Sequence, residues 1–334
     1  MIRVMLGTLV VAATLTAGVV RVLQTNAAGD NIHIIDPATN KVVAIIEDIE
    51  VPHGITISPD GTRIYVTNES LSTLDVVDAK TLKVFRRIPL SGRPNNVDVS
   101  KDGAQVYVAI REAPGAVDVI DTASLANVKT IPTKGDIHNV YVTPDGKYAV
   151  AGSIPERTIN VIDTSTNTLA WTLTLSAGIR PMAFTTNPDG STKEIIVQLS
   201  DFHGIALVDF AARKETRRIT HPDPAGQHKE TEGLQGSPSH GLAITPDGKM
   251  LWATSKYYDS VFAYSLPDYN VLGTVKVGLH PDWLAITPDG KSLYVAVAGD
   301  DVTVVVDIAT RKVVETIPVG YVPKRNIAGM LSID

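Results

Sequence analysis

The chain has 334 residues, 44% hydrophobic and 20% charged, with a formal net charge of −6. That is ordinary globular composition, long enough for a large core, and its charge excludes the basic footprint of a nucleic-acid binder or a membrane-surface patch. There is no cysteine, which excludes disulfides, thiolate metal sites and cysteine nucleophiles.

The chain begins MIRVMLGTLVVAATLTAG. Arg3 supplies a positive start, and Val4 to Ala17 form an apolar run too short for a comfortable transmembrane helix. Residues 1–18 are expected to be a secretory signal cut after Ala17 or Gly18, although Leu15 is a poor residue three before the first cut. The mature protein is then periplasmic or secreted, with no membrane attachment. A retained anchor or a strand of the fold is the alternative.

From residue 19 onward one pattern repeats. In His53 to Asn68, HGITISPDGTRIYVTN, Ile55 and Ile57 alternate with polar neighbours as in a half-buried strand. Pro59-Asp60-Gly61 then makes a tight turn: Pro fixes φ, Asp bonds its own backbone, and Gly accepts positive φ. Ile64 to Thr67 are β-branched or aromatic, as strands prefer. The Asp-Gly turn recurs at Asp60, Asp102, Asp145, Asp189, Asp247 and Asp289, with spacings of 42, 43, 44, 58 and 42 residues. A second mark follows each hairpin, a β run ending in Asp36, Asp78, Asp121, Asp163, Asp209 or Asp307, with Ser265 in the remaining copy. These periodic carboxylates read as turn formers, not catalysts. One further strand follows each, so every repeat holds four short antiparallel strands, a to d.

Four strands per repeat of this length is a β-propeller blade. The fold class predicted is all-β, a seven-bladed propeller. Six blades come from the six turns. Arg21–Val42 aligns without gaps on Arg63–Val84, so the N-terminus supplies strands b to d of the seventh blade and the C-terminus its strand a. Residues 19–334 then form one domain whose ring is closed without an open sheet edge.

Tyr65-Val66-Thr67-Asn68 is the literal motif of YVTN-type β-propeller repeat proteins, and Gln24-Thr25-Asn26, Tyr107-Val108-Ala109 and Tyr294-Val295-Ala296 are weaker copies. The chain resembles that family over nearly all of its length after residue 18. The resemblance implies the architecture and says little about activity, which must be read from the site.

Strand a runs from the top face to the bottom, which sorts the histidines. His53, His138, His240 and His280 lie where strand a begins. His221 and His228 lie in the long connection before blade 5, His203 between strands b and c, and only His33 inside a strand. Counting back seven residues from each turn Asp gives His53, Asn95, His138, Met182, His240 and Asp282; alignment of prolines adds Lys324. This ring is expected at the channel mouth. His53, His138 and His240 are candidate metal ligands, with His280 or Asp282 as the fourth, because neutral imidazoles converging from rigid strands suit a transition metal. Copper or iron is favoured, with zinc or manganese as alternatives. Met182 would add a soft ligand. A wet channel that merely tolerates polar residues is the competing reading.

The spacing of 58 places an insertion at 221–239, polar and on the same face. His228, Glu230 and Glu232 are candidates for a general base or supporting group acting from this lid, with a solvated loop as the plain alternative. Tyr257 and Tyr258 are candidates for a pocket wall beside it, while Trp252 reads as blade packing. Arg93, Arg180 and Lys324, with Asn95 in the same ring, make part of the mouth cationic, suited to clamping an anionic small molecule. Ion pairs with Glu112, Glu156 or Asp201 are the plain alternative.

Two functions follow. One is a metal-dependent oxidoreductase or lyase. Nitrous oxide reductase and the carotenoid cleavage oxygenases are similar in holding metals by histidines in seven-bladed propellers, but neither family's full motif is present. The other is a non-catalytic exported propeller that binds a ligand or a protein partner.

Overall fold

The computed structural model describes residues 18–223 and 237–333. All but the last residue of the expected signal segment 1–18, and most of the expected insertion 221–239, including His228, Glu230 and Glu232, lie outside the described residues. The described residues hold 28 strands in seven four-stranded antiparallel sheets. Blade 1 is β4 (Pro52–Ile57), β5 (Arg63–Asn68), β6 (Thr73–Asp78) and β7 (Lys83–Pro89), and five further blades repeat this order. The seventh joins β28 (Pro323–Leu331) to β1 (Val19–Asn26), β2 (Asn31–Asp36) and β3 (Lys41–Ile46). Its ladder runs from Val19↔Leu331 to Gln24↔Asn326 and Asn26↔Pro323. The predicted seven-bladed ring with a shared seventh blade is therefore the fold. No helix is long and apolar enough to cross a membrane among the described residues.

Burial explains the strand composition. β5 is buried from Ile64 to Asn68, because both faces of an inner strand meet neighbouring blades. β7, outermost, leaves five of its seven residues exposed to solvent. The apolar clusters form between blades: Tyr65, Leu74 and Val76 of blade 1 pack with Val97, Val106 and Val108 of blade 2. Each blade therefore buries its faces only against its neighbours, which is why the ring must close.

The recurring polar residues have defined work. In the a-to-b turns, Ser58 Oγ donates to Asp60 Oδ1 (2.6 Å) and Thr245 Oγ1 to Asp247 Oδ1 (2.6 Å), while Gly61 has φ of 72°. In the c-to-d turns, Asp78 Oδ1 accepts from the Thr81 amide (2.7 Å) and hydroxyl (2.8 Å). The Thr of the YVTN motif is an inter-blade clamp. Thr67 Oγ1 accepts from the Gly54 amide (2.7 Å) and donates to the Asn95 carbonyl (2.7 Å) of the next blade. The motif Tyr also reaches across: Tyr294 Oη donates to Asn40 Oδ1 at 2.5 Å.

Blade 4 departs from the predicted count. β16 (Ile179–Thr186) and β17 (Thr192–Leu199) close over Asn187–Ser191, and the ladder shifts register between Thr185 and Thr186. Met182 pairs with Val197, the level that Ile55↔Val66 occupies in blade 1. The ring residue of blade 4 is therefore Arg180, two residues earlier, and Met182 is packed in the apolar core instead.

Candidate functional site

Ladder pairing fixes which side chains share a level. Ile55↔Val66, Val97↔Val108, Val140↔Ala151, Met182↔Val197, Leu242↔Ala253, Leu284↔Val295 and Asn326↔Gln24 are equivalent. Two residues before each stand His53, Asn95, His138, Arg180, His240, Asp282 and Lys324. All seven are buried, so the register argument brings the three histidines, Asp282 and Lys324 to one mouth. The imidazoles of His138 and His240 lie edge to face, 5.7 Å between centroids.

Each histidine has a different partner. His53 Nδ1 meets the Glu69 carboxylate, and His240 Nδ1 faces the Asp282 carbonyl at 3.1 Å, so both carry the proton on Nδ1. Their Nε2 atoms are buried without a hydrogen-bond partner among the described residues. His138 is the reverse. Arg325 Nη2 donates to Asn139 Oδ1 (2.9 Å), which turns the Asn139 amide nitrogen toward His138 Nδ1 (2.5 Å). An Nδ1 that accepts leaves the His138 proton on Nε2. Burial pushes all three imidazoles down, His53 to about 4 and the other two well below the usual range, so all are neutral at pH 7.

Among the described residues, buried cations outnumber buried carboxylates around them. Lys256 ion-pairs with Asp282 Oδ1, and Lys324 Nζ lies 3.1 Å from Oδ2. Burial alone would raise Asp282, but the two ammonium groups outweigh it and hold the carboxyl well below its ordinary range. Arg180 Nε donates to Ser200 Oγ (2.9 Å), and burial together with Arg111 pulls its guanidinium down to about 10. Arg180, Lys256, Lys324 and Arg325 are each at most 8% exposed. Arg93 is exposed at the rim, where its amide donates to Glu112 Oε2 (3.0 Å).

One residue further down each strand a lie Gly54, Asn96, Asn139, Pro181, Gly241, Trp283 and Arg325. A Cβ on Gly54 would fall 2.7 Å from the Asn95 carbonyl oxygen, and one on Gly241 would fall 2.9 Å from Trp283 Cα. These glycines let neighbouring strands close in. The Arg325 guanidinium then spans the narrowed channel, donating to Asn95 Oδ1 (3.0 Å) and Asn139 Oδ1 of blades 2 and 3 and stacking 3.9 Å from the Trp283 ring centroid. It floors the upper cup.

The other expected residues lie elsewhere. His280 has positive φ (55°), with its amide on Asp259 Oδ1 (3.3 Å) and its ring beside Gly299. Tyr257 and Tyr258 stack on His203, at 5.4 and 5.3 Å, in a cluster with His221 and Phe262. His203 itself opens β18 (Phe202–Asp209) rather than lying in the connection. Trp252 is fully buried blade packing. Among the described residues no group of three or more His, Asp or Glu side chains is disposed to hold a metal ion. His53 and His240 present free Nε2 lone pairs, as ligation requires. His138 presents a proton there, and Asp282 is taken by two lysines.

Sequence reasoning missed Glu69, Lys256 and Ser200. All three occupy one register position, just after strand b, as does Arg111. The signal was present in that equivalence; only the start of strand a was read across blades.

Residues 60–144, from the turn of blade 1 to that of blade 3, match a family described as YNCE-like beta-propeller. No curated protein sequence matches the chain. Among solved structures, hydrazine synthase of Kuenenia stuttgartiensis is 22% identical, with TM-score 0.75 over 92% of this chain and 99% of its own. A candidate 6-phosphogluconolactonase of Bacteroides fragilis is 20% identical, with TM-score 0.75 over 95% and 99%. The dihydro-heme d1 dehydrogenase NirN is 15% identical, with TM-score 0.67 over 96% and 77%. At these identities the likeness is one of fold.

Proposed function

We infer that the protein is a binding propeller that takes a small, hydrophilic anion, a sugar phosphate or polycarboxylate, at the top mouth of its channel. One observation carries this reading: among the described residues four buried cations, Arg180, Lys256, Lys324 and Arg325, gather around one fully buried carboxylate, Asp282. Buried charge without a counter-charge is costly, and a bound anion relieves that cost. His138 Nε2–H adds a neutral donor. Nε2 of His53 and His240 add acceptors for ligand hydroxyls. Export, from the N-terminal segment, would place this site in the periplasm or outside the cell, where a protein partner could also use the top face.

The test is calorimetric titration of untagged protein with citrate, gluconate 6-phosphate and neutral glucose. The anions should bind and glucose should not. Lys324→Gln and Arg180→Gln should each weaken anion binding roughly tenfold or more, the worth of a charge-assisted contact. Equal binding of glucose, or no anion binding, overturns the reading.

A transition metal is the second reading. It is favoured by two buried imidazoles whose Nδ1 atoms are held by a carboxylate and a carbonyl, the support that metal-ligating histidines have. Copper or iron would make the protein an oxidoreductase or electron-transfer component; zinc or manganese would suit a lyase. Stoichiometric metal in untagged protein, lost in His53→Ala/His240→Ala, would establish it over the first reading.

A further inference from the structure

Below the Arg325 floor the channel opens again into a cavity of about 400 Å³ toward the bottom face. That is within the roughly 300–1,000 Å³ of small-molecule sites. Its wall differs in kind from the upper cup. Tyr141, Met182, Phe184, Leu242, Trp283 and Leu284 line it, with Arg325 at its inner end.

The polar groups of this wall are mostly spent. Asn96 Nδ2 donates to the Val140 carbonyl (3.0 Å), and Asn326 Nδ2 to Gln24 Oε1 and the Tyr294 carbonyl (3.2 Å each). Asp98 accepts from the Val99 (2.9 Å) and Val142 (2.8 Å) amides. Arg325 is the exception. It is 1% exposed, its two hydrogen-bond acceptors are neutral amide oxygens, and its Nε and Nη1 make no hydrogen bond among the described residues. The Trp283 ring, the Tyr141 hydroxyl and the more distant Asp282 and Glu69 offset part of its desolvation, but among the described residues no carboxylate contacts it. Asn326 Oδ1 is also unpartnered, but as an acceptor it leaves anion recognition to Arg325.

We propose that this lower cavity binds an apolar monocarboxylate, aryl or alkyl, with its carboxylate on Arg325 and its body against Tyr141, Phe184, Met182 and Leu242. The two ends of the channel thereby differ in ligand class: the upper cup is polar and many-charged, whereas the lower cavity joins an apolar wall to one cation, Arg325, with the Asp98 carboxylate turned to backbone amides. The proposal does not depend on ligand binding at the upper mouth.

The test uses 3-phenylpropionate and its neutral analogue 3-phenylpropanol, titrated calorimetrically into the full chain at neutral pH. The acid should bind to the wild type roughly tenfold to a hundredfold more tightly than the alcohol, as a charge-assisted contact gives. Arg325→Gln should bring acid and alcohol to equal affinity. Ala243→Phe, which fills the lower cavity from its wall, should abolish binding of both while leaving citrate binding at the upper mouth as in the wild type. The proposal is overturned if the wild type binds acid and alcohol equally or binds no acid. It is also overturned if Ala243→Phe binds the acid as the wild type does, which would place the acid at the upper mouth. Ala243→Phe decides the matter even if Arg325→Gln does not fold.

Discussion

Acid should unfold this protein early, and the reason is its buried neutral histidines. His53, His138, His221 and His240 are at most 4% exposed, and burial pushes each imidazole below its usual value, His53 to about 4. The folded-state values lie under the unfolded value of about 6.5, so below that pH the unfolded chain binds more protons than the folded one. Stability is therefore complete above about pH 6.5 and is lost as pH falls toward the folded values. Each group contributes about 1.4 kcal/mol per pH unit in that window, or about 2 kcal/mol between pH 6.5 and 5. Four such groups approach about 8 kcal/mol, comparable to the roughly 5–15 kcal/mol that holds a domain together. Asp282 and Glu69, both held below the ordinary range, stay ionised through this window and add their loss only at lower pH. Asp98, raised by burial, works in the opposite direction and offsets a fraction. Urea unfolding at pH 7.5, 6.5, 5.5 and 5.0 should show a loss of several kcal/mol between the second and last points. The double variant His53→Gln/His138→Gln should lose about half as much over the same interval, whatever its stability at pH 7.5. A flat profile from pH 6.5 to 5, or an unchanged slope in the double variant, would refute the reasoning.

The inter-blade clamp gives a second expectation: Thr67→Val keeps the shape of the side chain but strands the buried Gly54 amide and Asn95 carbonyl. It should cost about 2–4 kcal/mol by urea titration, whereas Thr67→Ser should stay near the wild type; a cost under about 0.5 kcal/mol for Thr67→Val would show the clamp is not energetic. Ring closure gives a third. Deleting 324–334 removes nearly all of β28 and exposes the edge of β1, so the truncated chain should lose its cooperative thermal transition or melt far below the full chain. An unchanged melting curve would mean that the ladder from Val19↔Leu331 to Gln24↔Asn326 contributes little.

How much of this was legible beforehand differs between fold and site. Blade number, strand order and the shared seventh blade followed from the spacing of Asp-Gly turns and the match of Arg21–Val42 to Arg63–Val84, because period-2 burial and turn chemistry are local properties repeated seven times. The gathering of His53, His138, His240, Asp282 and Lys324 at one mouth followed too, since equivalent positions in a closed ring share a depth. What the ring does was not legible. The blade 4 ladder shift that exchanges Met182 for Arg180 depends on how Asn187–Ser191 closes the hairpin, and counting residues cannot show which strand absorbs the extra ones. The partners that set the chemistry come from other strands and other blades: Glu69 on His53, Lys256 on Asp282, and Arg325 fixing Asn139 and through it the proton of His138. Protonation state and net field depend on which charges share a buried volume. Sequence sets which residues are present at each level of the channel; only the closed ring brings blade 7 against blades 2 and 3, and that contact makes Arg325 both the floor of one site and the head of another.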